Sequence, residues 1–586
     1  MSTPSPFIRL DSLQQGPFGT GWQFSGHLGT LTAMTLAEVL PVLQQAEAAT
    51  QQGYYAVGFV AYEAAAAFNP HLATLPPLEG LPLAWFTLFR HRTPASCSPV
   101  SVTTPEPPPC LHSAILPEQY EAAISQIHRA IGAGESYQIN YTFPLQGPWQ
   151  GDPLQLYQAL LRAQQAPFGA LLDTGRHLIL SASPELFFQR TGDRIVTRPM
   201  KGTALRGRFP TEDAARAAAL AASPKEQAEN LMIVDLLRND LGQIAQTGTV
   251  QVEQLFALET YPTVQQLTST VSASLREGTD LTSIFQALFP CGSVTGAPKR
   301  QSMKLISDLE KSPRGVYCGA IGMLAPGGEA LFSVAIRTLL LDRQSGTCQM
   351  GVGSGVTWDA EATAEYAECL AKAAFLSQPP PPRLLESLRL ENGRYPLLTR
   401  HLARLAWSAS RLGHRHNATL AEQRLLEHAA TVPQGTHKVR LLLAANGELD
   451  LSSAPLEPDS APLQLALATC RVDPDDQSLY LKTEARQRYD AARQEQPGAD
   501  EVLLLNNRGE LSEGSYHSLV LRLAGRLVTP PLGCGLLPGV LREELLAQGA
   551  IHEQILYPAD LGTAAEIWLI NAVRGWRRAE LLHDVR

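Results

Sequence analysis

The sequence predicts an α+β architecture divided into two globular parts, and three observations carry that expectation. A capped helix opens near residue 223, an apolar alternation runs over residues 330–342, and four prolines stand at 379–382. Ser223-Pro224-Lys225-Glu226 is a capping box with proline at the first helical position, so a helix starts there and continues through residues 230–235. Residues 330–342 are rich in Val, Ile and Leu and read as one strand. Residues 359–376 are Ala-rich and helical, and residues 118–134 form an amphipathic helix. Strands and helices come in runs without a regular βαβ beat, the signature of α+β folds. Four successive prolines favour an extended, semi-rigid spacer. The boundaries predicted from it are residues 1–376, a linker at 377–383, and residues 384–586. A Pro/Ser/Thr-rich stretch at 93–109 reads as an internal loop.

Composition narrows the function classes. The 586 residues are 44% hydrophobic and 18% charged, ordinary for globular chains. Forty-seven basic against 56 acidic side chains give a net charge of −9. No basic tract of five residues appears, which speaks against a nucleic-acid partner. Eight cysteines without a CxxC pair fit a reducing compartment rather than a disulfide scaffold or zinc ribbon. The opening MSTPSPFIRLDS has no apolar signal core, and no run of about 18 apolar residues could span a bilayer. The expectation is a cytoplasmic, multidomain protein with no membrane partner.

Two helices each offer a Glu-x-x-Glu pair. Glu226 and Glu229 are three apart, and Glu361, Glu365, Glu368 and Lys372 fall on one helical stripe. By itself such a stripe is usually a solvated face. Gathered carboxylates, however, repel one another unless protonated or neutralised by a cation. An all-oxygen set suits Mg²⁺, which keeps several waters and takes one or two protein carboxylates. Gly351-Val352-Gly353-Ser354-Gly355 precedes the second helix and permits close backbone approach of a ligand. Arg337, placed on a strand face with Ser333 and Ala335, could receive an anion.

These residues lie among motifs in a fixed order: Arg198-Pro199-Met200-Lys201-Gly202-Thr203, Pro224 through Asp240, Gly296-Ala297-Pro298-Lys299, Arg314-Gly315-Val316-Tyr317-Cys318-Gly319, Ile336-Arg337-Thr338 and Glu365-Tyr366-Ala367-Glu368. Residues 115–376 thereby resemble the chorismate-utilising enzymes, which include anthranilate, isochorismate, salicylate and aminodeoxychorismate synthases. The resemblance implies an anthranilate synthase component I-like α/β sandwich. The Pro-x-Lys-Gly-Thr form is similar to that of aminodeoxychorismate synthase component I, whereas anthranilate synthases usually carry Ala in place of the lysine. It implies that Lys201 attacks carbon 2 of chorismate while Glu185 serves as the acid for the departing 4-hydroxyl. It further implies that Glu229 and Glu368 hold Mg²⁺, with Glu226 and Glu365 acting through its waters. Tyr317, Arg337, Gly353 and Lys372 match positions contacting the substrate's carboxylates, and Ser293 and Thr295 border the same site. Gln266 stands where several relatives carry His; it can hydrogen-bond a ring hydroxyl but carries no proton, which speaks against pyruvate elimination in this half.

After the prolines, Lys482 ends a strand-like stretch, and Glu513 follows in Leu511-Ser512-Glu513-Gly514. Gly539 precedes an apolar helical pattern whose free N–H groups could hold phosphate. Residues 384–586 resemble the fold-type IV pyridoxal-phosphate enzymes: branched-chain and D-amino acid aminotransferases and 4-amino-4-deoxychorismate lyase. The resemblance implies an α+β domain pair with Lys482 as the cofactor-bearing lysine and Glu513 as partner of the pyridine nitrogen. Arg404 and the backbone of Val540 and Leu541 would hold phosphate, with Asn571 and Arg440 on the substrate side. Ser518 stands where many relatives have Asn, and the opening of the fold is short.

Together the halves imply 4-aminobenzoate synthesis for folate: amination of chorismate, then elimination of pyruvate. No cysteine lies in a Gly-x-Cys-x-Gly elbow, since Leu532 precedes Cys534 by two residues and Phe289 precedes Cys291. The ammonia is therefore expected from a separate glutamine amidotransferase subunit or from solution. A homodimer through the second part is an expectation by analogy. Anthranilate synthase component I fused to an aminotransferase-like domain is the alternative, against which Lys201 argues, and so is a binding protein built on decayed domains.

Overall fold

The computed structural model describes residues 7–11, 21–94, 109–377, 381–432, 434–458 and 461–582. The linker prolines 379 and 380 and most of the 93–109 stretch lie outside these residues. The chain divides into two compact units, one of Met1–Leu205 and Ala217–Pro379, the other of Arg206–Arg216 and Pro380–Arg586.

The first unit is built on antiparallel ladders that run without a break from Gln251–Thr260 through Glu329–Val334 and Tyr55–Val60. They turn at Ile8–Asp11 and return through His177–Ser183 and Thr338–Asp342 to Gln138–Pro148. Side chains alternate across each strand, so a strand with two apolar faces joins two cores. Val57 and Phe59 enter a core shared with Ile179, Phe168 and Ile321, whereas Ala56 and Val60 pack with Val39, Leu43 and Phe285. Leu178 and Leu180 face the opposite way, towards Tyr120, Ile127 and Tyr157. The result is a sandwich of two sheets whose outer faces are covered by helices, the α/β sandwich expected of the sequence.

Local structure agrees with the sequence at several points. Pro117–Gly132 is a helix, and Pro224–Gly242 is capped by Ser223, whose hydroxyl accepts the Glu226 N–H at 3.4 Å. Two expectations need correction. Residues 330–342 do not form one strand: Glu329–Val334 pairs with Leu186–Thr191 in one layer, Thr338–Asp342 with His177–Ser183 in the other. The chain crosses between layers of the continuous sheet at Ala335–Arg337, with Arg337 at φ +52°. Ser333 therefore does not share a face with Arg337, and its hydroxyl is donated to the Ile321 carbonyl. The second helix spans only Ala362–Ala371, with Glu361 as its N-cap rather than part of the stripe.

The second unit holds two sheets. Leu384–Glu391, Thr436–Leu443 and Leu449–Pro455 form an antiparallel sheet that packs with the helices Leu398–Leu412 and Ala418–Thr431. An eight-stranded mixed sheet runs from Leu511–Gly514 through Leu463–Val472 and Glu566–Asn571 to His552–Glu553. The stretch before Lys482 is a 3₁₀ turn, Gln477–Tyr480, and not a strand. Asp476 caps it by accepting the Ser478 N–H, and local capping of this kind competes with strand pairing. Among the described residues no helix is long and apolar enough to cross a membrane.

One buried ion pair braces the wall of the first unit. Arg314 donates to Glu310 at 2.7 and 3.0 Å, to the carbonyls of Val294 and Asn140 at 2.7 Å, and lies 4.5 Å from the Tyr62 ring centroid. Removing one member strands a buried charge. Arg314→Met should therefore lower stability by about 3–5 kcal/mol in chemical denaturation. Adding Glu310→Gln to that variant should recover part of the loss.

Candidate active sites

The first site gathers on five segments. Lys201 lies on Met200–Leu205, Glu185 enters the Leu186–Thr191 strand, and Ser293 sits on a 3₁₀ turn, Gly292–Val294. The two glutamate helices supply the rest. Helix Pro224–Gly242 is tied to the lysine strand by Asn230, which donates to the Lys201 carbonyl at 3.2 Å and accepts from Ser269 at 2.6 Å.

Burial pushes the Lys201 ammonium below its ordinary pKa. The charges of Glu229, Glu185 and Glu368 oppose that shift, and Lys372 adds to it. Glu185 is 3% exposed, and burial raises its carboxyl to about 7 against the hydroxyl of Ser293 (2.6 Å), the charge of Lys201 and a backbone hydrogen bond from Met200. Gly355 leaves room for two site side chains: a Cβ there would stand 2.0 Å from Gln138 Nε2 and 2.6 Å from Lys201 Nζ and would displace them. Likewise a Cβ at Gly351 would stand 2.1 Å from the Tyr317 ring.

The carboxylates share one electrostatic field. Burial raises Glu229, and the charges of Glu226 and Glu368 add to the shift; burial also raises Glu365, helped by Glu368. Among the described residues no three of them converge as a ready metal cage. Glu368 instead pairs with Lys372 at 2.8 Å, and Lys372 also donates to the Gly353 carbonyl at 2.8 Å. This set still fits Mg²⁺, which needs only one or two protein carboxylates and retains water. Arg337 donates to Gln164 at 2.7 Å and lies within the fields of Tyr317 and Glu368.

Two predicted residues point elsewhere. Thr295 is fully buried and donates to the carbonyls of Cys291 and Gly292, so it shapes the turn that carries Ser293. Gln266 accepts from exposed Thr203 at 3.1 Å. Two residues were missed. Gln138 is 1% exposed with Oε1 unpartnered, and Cys291 lies 3.2 Å from Ser293 Oγ. A buried position for Asn230 was signalled by its place within the apolar run Leu231-Met232-Ile233-Val234; Gln138 and Cys291 gave no such signal.

The second site is a cavity of about 640 Å³ lined by Lys482, Glu513, Arg404, His401, Val540 and Leu541. Burial, then the charge of Arg404, lowers the Lys482 amine to about 8. Burial raises Glu513 to about 7, while its Tyr489 hydrogen bond at 2.7 Å works the other way. Arg404 grips Glu386 through two bonds of 2.8 and 2.6 Å and donates to the Pro538 carbonyl at 2.9 Å. Glu386, held down to about 2 by Arg404 and His401 despite burial, also accepts from His401 Nδ1 at 2.7 Å. His401 is 2% exposed, and its Nε2 is buried without a partner. Gly539 is the N-cap of Val540–Ala547, which leaves backbone N–H groups at the cavity.

These donors fit pyridoxal phosphate. A helix N-terminus and Arg404 suit its phosphate. A pyridinium N–H beside Glu513 would restore the ionised carboxylate that burial disfavours. Asn571 accepts from the N–H groups of Val573 and Arg574 at 3.0 and 2.8 Å and so fixes a turn at the rim. Arg440 does not line the cavity; Lys438, two residues earlier on the same strand, does.

Sequence comparison accords with both halves. Residues 6–378 match the family of chorismate binding enzymes, which is more than half of the chain. The chain belongs to the chorismate binding enzymes. Residues 383–582 match the class IV amino-transferases, so a fold-type IV aminotransferase-like part follows the chorismate-binding fold. An aminodeoxychorismate synthase of Streptomyces griseus is 42% identical over 287 residues, 49% of this chain and 39% of that protein. Aminodeoxychorismate synthase component 1 of Klebsiella aerogenes is 42% identical over 256 residues, 44% of this chain and 56% of its own length. The chain thus spans about two fifths to just over half of these relatives. Anthranilate synthase component I from Streptococcus pneumoniae shares the fold at TM-score 0.54 and 23% identity, covering 64% of this chain and 93% of that one.

The Ser293–Glu185 contact yields a pH prediction. Ser293 stabilises the ionised carboxylate, so Ser293→Ala should raise the Glu185 pKa by about one unit. If Glu185 acts as an acid, turnover falls as pH rises through its pKa of about 7, and in Ser293→Ala that descending limb should shift to higher pH. The check is a pH–rate profile of chorismate amination.

Proposed function

We propose that this chain makes 4-aminobenzoate, a folate precursor, from chorismate in two steps. The first unit aminates chorismate to 4-amino-4-deoxychorismate, and the second removes pyruvate from that product. The observation that carries the reading is the half-buried Lys201, whose amine is desolvated and lies in the fields of Glu185, Glu229 and Glu368. Desolvation favours the neutral, nucleophilic form of such an amine. Lys201 would bond to carbon 2 of chorismate as the 4-hydroxyl leaves, taking its proton from Glu185, whose pKa of about 7 suits an acid at that pH. Ammonia would then enter at carbon 4 and expel the lysine. Glu229 and Glu368 would hold Mg²⁺, with Glu226 and Glu365 reaching it through water, and the ion would neutralise substrate carboxylate. Arg337, Lys372, Tyr317 and the Gly353 backbone would orient that substrate.

In the second unit Lys482, Glu513, Arg404, Val540 and Leu541 would hold pyridoxal phosphate. When bound, this cofactor supplies an electron sink that acidifies the hydrogen at carbon 4 of an amine attached to it. Lys482, with an amine pKa of about 8, is the base that would take that proton. Departure of enolpyruvate then leaves an aromatic ring, and aromatisation drives the step.

The ammonia would come from a separate glutamine amidotransferase subunit or from solution. In support, burial holds the thiols of Cys291, Cys318, Cys348 and Cys534 up at about 12 and that of Cys369 at about 11, far from a nucleophilic thiolate. A cytoplasmic setting and a homodimer through the second unit complete the reading. The proposed boundaries remain 1–376, 377–383 and 384–586.

Incubation with chorismate, Mg²⁺ and ammonium should yield 4-aminobenzoate; release of anthranilate would overturn the reading. Lys201→Ala should lose amination by at least about 100-fold while still converting supplied aminodeoxychorismate. Lys482→Ala should do the reverse, accumulating aminodeoxychorismate and lacking the visible absorbance of the bound cofactor.

Glu229→Gln and Glu368→Gln should each raise the Mg²⁺ concentration needed for half-maximal amination by about tenfold or more, since each removes a charged ligand. Folding should be spared, because loss of one charge relieves repulsion among the others. Wild-type Mg²⁺ titrations in both variants would make the carboxylates solvated faces.

A further inference from the structure

We propose that Lys438, Arg486 and Arg574 form a dianion subsite in the cavity of the second unit, selecting a substrate with two carboxylates over an α-amino acid. This rests on the lyase reading of that cavity and names what the cavity selects.

The argument begins with a charge imbalance. Seven basic side chains line the cavity (Arg404, Lys438, Lys482, Arg486, Arg488, Arg542 and Arg574) against a single carboxylate, Glu513. Three of the seven are neutralised by carboxylates that do not line it: Arg404 by Glu386, Arg542 by Glu553 and Arg488 by Asp476. Lys482 is the reactive amine. Lys438, Arg486 and Arg574 remain, and among the described residues no carboxylate pairs with them. Glu484, close in sequence, is taken by Arg383 at 2.7 Å.

These three cations come from separate elements and meet. Lys438 lies on Thr436–Leu443, Arg486 follows the lysine loop, and Arg574 sits in the turn after Glu566–Asn571. Partial desolvation lowers the amine of Lys438, whose residue is otherwise exposed, and the charges of Arg440, Arg574 and Arg486 add to that shift; of these, Arg574 and Arg486 line the same cavity as Lys438. Arg486 also acts on Lys482, so its charge reaches both the reactive amine and Lys438 within the one cavity.

Arg486 is immobilised before any ligand arrives. Its guanidinium lies 4.3 Å from the Tyr516 ring centroid and 4.9 Å from that of Tyr489, and donates to the Ser515 carbonyl. Its Nε is buried without a partner. Arg574 is fixed from the backbone by Asn571 and spends one N–H on the Glu457 carbonyl at 3.2 Å. A fixed guanidinium fork loses little entropy on binding a carboxylate and matches it bidentately.

Three like charges held together repel, and two carboxylates relieve that repulsion. An α-amino acid brings one carboxylate and a net charge of zero, so it relieves less of that repulsion than a substrate with two carboxylates. 4-Amino-4-deoxychorismate carries one carboxylate across the ring from the reacting amine and a second on the enolpyruvyl arm of the neighbouring carbon. The cavity's charge matches that pattern.

The test uses the full-length, cofactor-loaded protein without ammonium or Mg²⁺, and follows cofactor absorbance, which reports on this cavity alone. The probes are chorismate, with two carboxylates and no 4-amine, and 4-hydroxybenzoate, with one carboxylate. Chorismate should perturb the spectrum and compete with aminodeoxychorismate at concentrations at least about tenfold lower than 4-hydroxybenzoate. Lys438→Gln and Arg574→Gln, both at exposed positions, should each raise KM for aminodeoxychorismate about tenfold or more with kcat little changed, and should erase the preference between probes. Arg486→Lys, which keeps the charge but not the fork, should lose part of it. Equal affinity for the two probes, or unchanged KM in both Gln variants, overturns the subsite. Absence of 4-aminobenzoate from the wild-type protein given aminodeoxychorismate overturns the lyase reading instead, and the spectral preference still decides the subsite.

Discussion

Taking a lysine ammonium out of water carries a penalty of several kcal/mol unless its charge is lost or matched. Each unit is organised around one such removal. Lys201 stands among Glu185, Glu229 and Glu368, which pull its pKa up while burial pushes it down. The half-buried Lys482 lies near Arg404, whose charge works with desolvation, while Glu386 and Glu513 oppose it. The carboxyls pay the reciprocal penalty: Glu185 and Glu513 both rise to about 7. Each site thus holds an amine and an acid brought towards neutrality from opposite sides, the condition under which proton transfer between side chain and substrate is efficient.

Holding such groups requires walls that do not yield. In the first unit the wall is the Gly292–Val294 turn, which Arg314 grips through the Val294 carbonyl, and which Thr295 closes through its own hydrogen bonds. Arg314 is itself anchored by Glu310, and Glu310 accepts from both the backbone and the hydroxyl of Thr142 at 2.9 Å. Lys299 secures the glutamate helix by pairing with Asp240 at 2.8 Å. Several motif residues therefore act on the site through others: Lys299, Asp240 and Arg314 touch no reacting group, yet they fix the elements that do.

This division explains what could be read from the sequence. Lys201, the two Glu-x-x-Glu pairs, Lys482 and Glu513 were legible because their residue types and order carry chemistry, and Ser223 marked its helix by local capping. The crossing at Arg337 was not legible: apolar alternation continues through it, and period-two patterning registers burial on both faces without saying which sheet a strand joins. The 3₁₀ turn before Lys482 was mistaken for a strand because Leu479-Tyr480-Leu481 is apolar over a length too short to fix a period. Gln138, His401 and Arg486 were missed for a different reason. Their significance lies in a polar atom left unpartnered in a buried place, which exists only once distant segments have met.

The two cavities also handle charge in complementary ways. A product that keeps both carboxylates of chorismate, as the proposed reaction requires, would meet a cationic complement in each unit, but of different make. In the first, Arg337 and Lys372 are accompanied by an excess of glutamates, so anionic substrate can be accommodated there only with a further cation. On the proposed reading, that is where Mg²⁺ would act. In the second, basic side chains outnumber the single lining carboxylate, so a substrate with two carboxylates would meet cations without a metal. One pattern of substrate charge would then account for two opposite electrostatic designs: a carboxylate-rich site completed by a metal ion, and an arginine-rich site completed by the substrate itself.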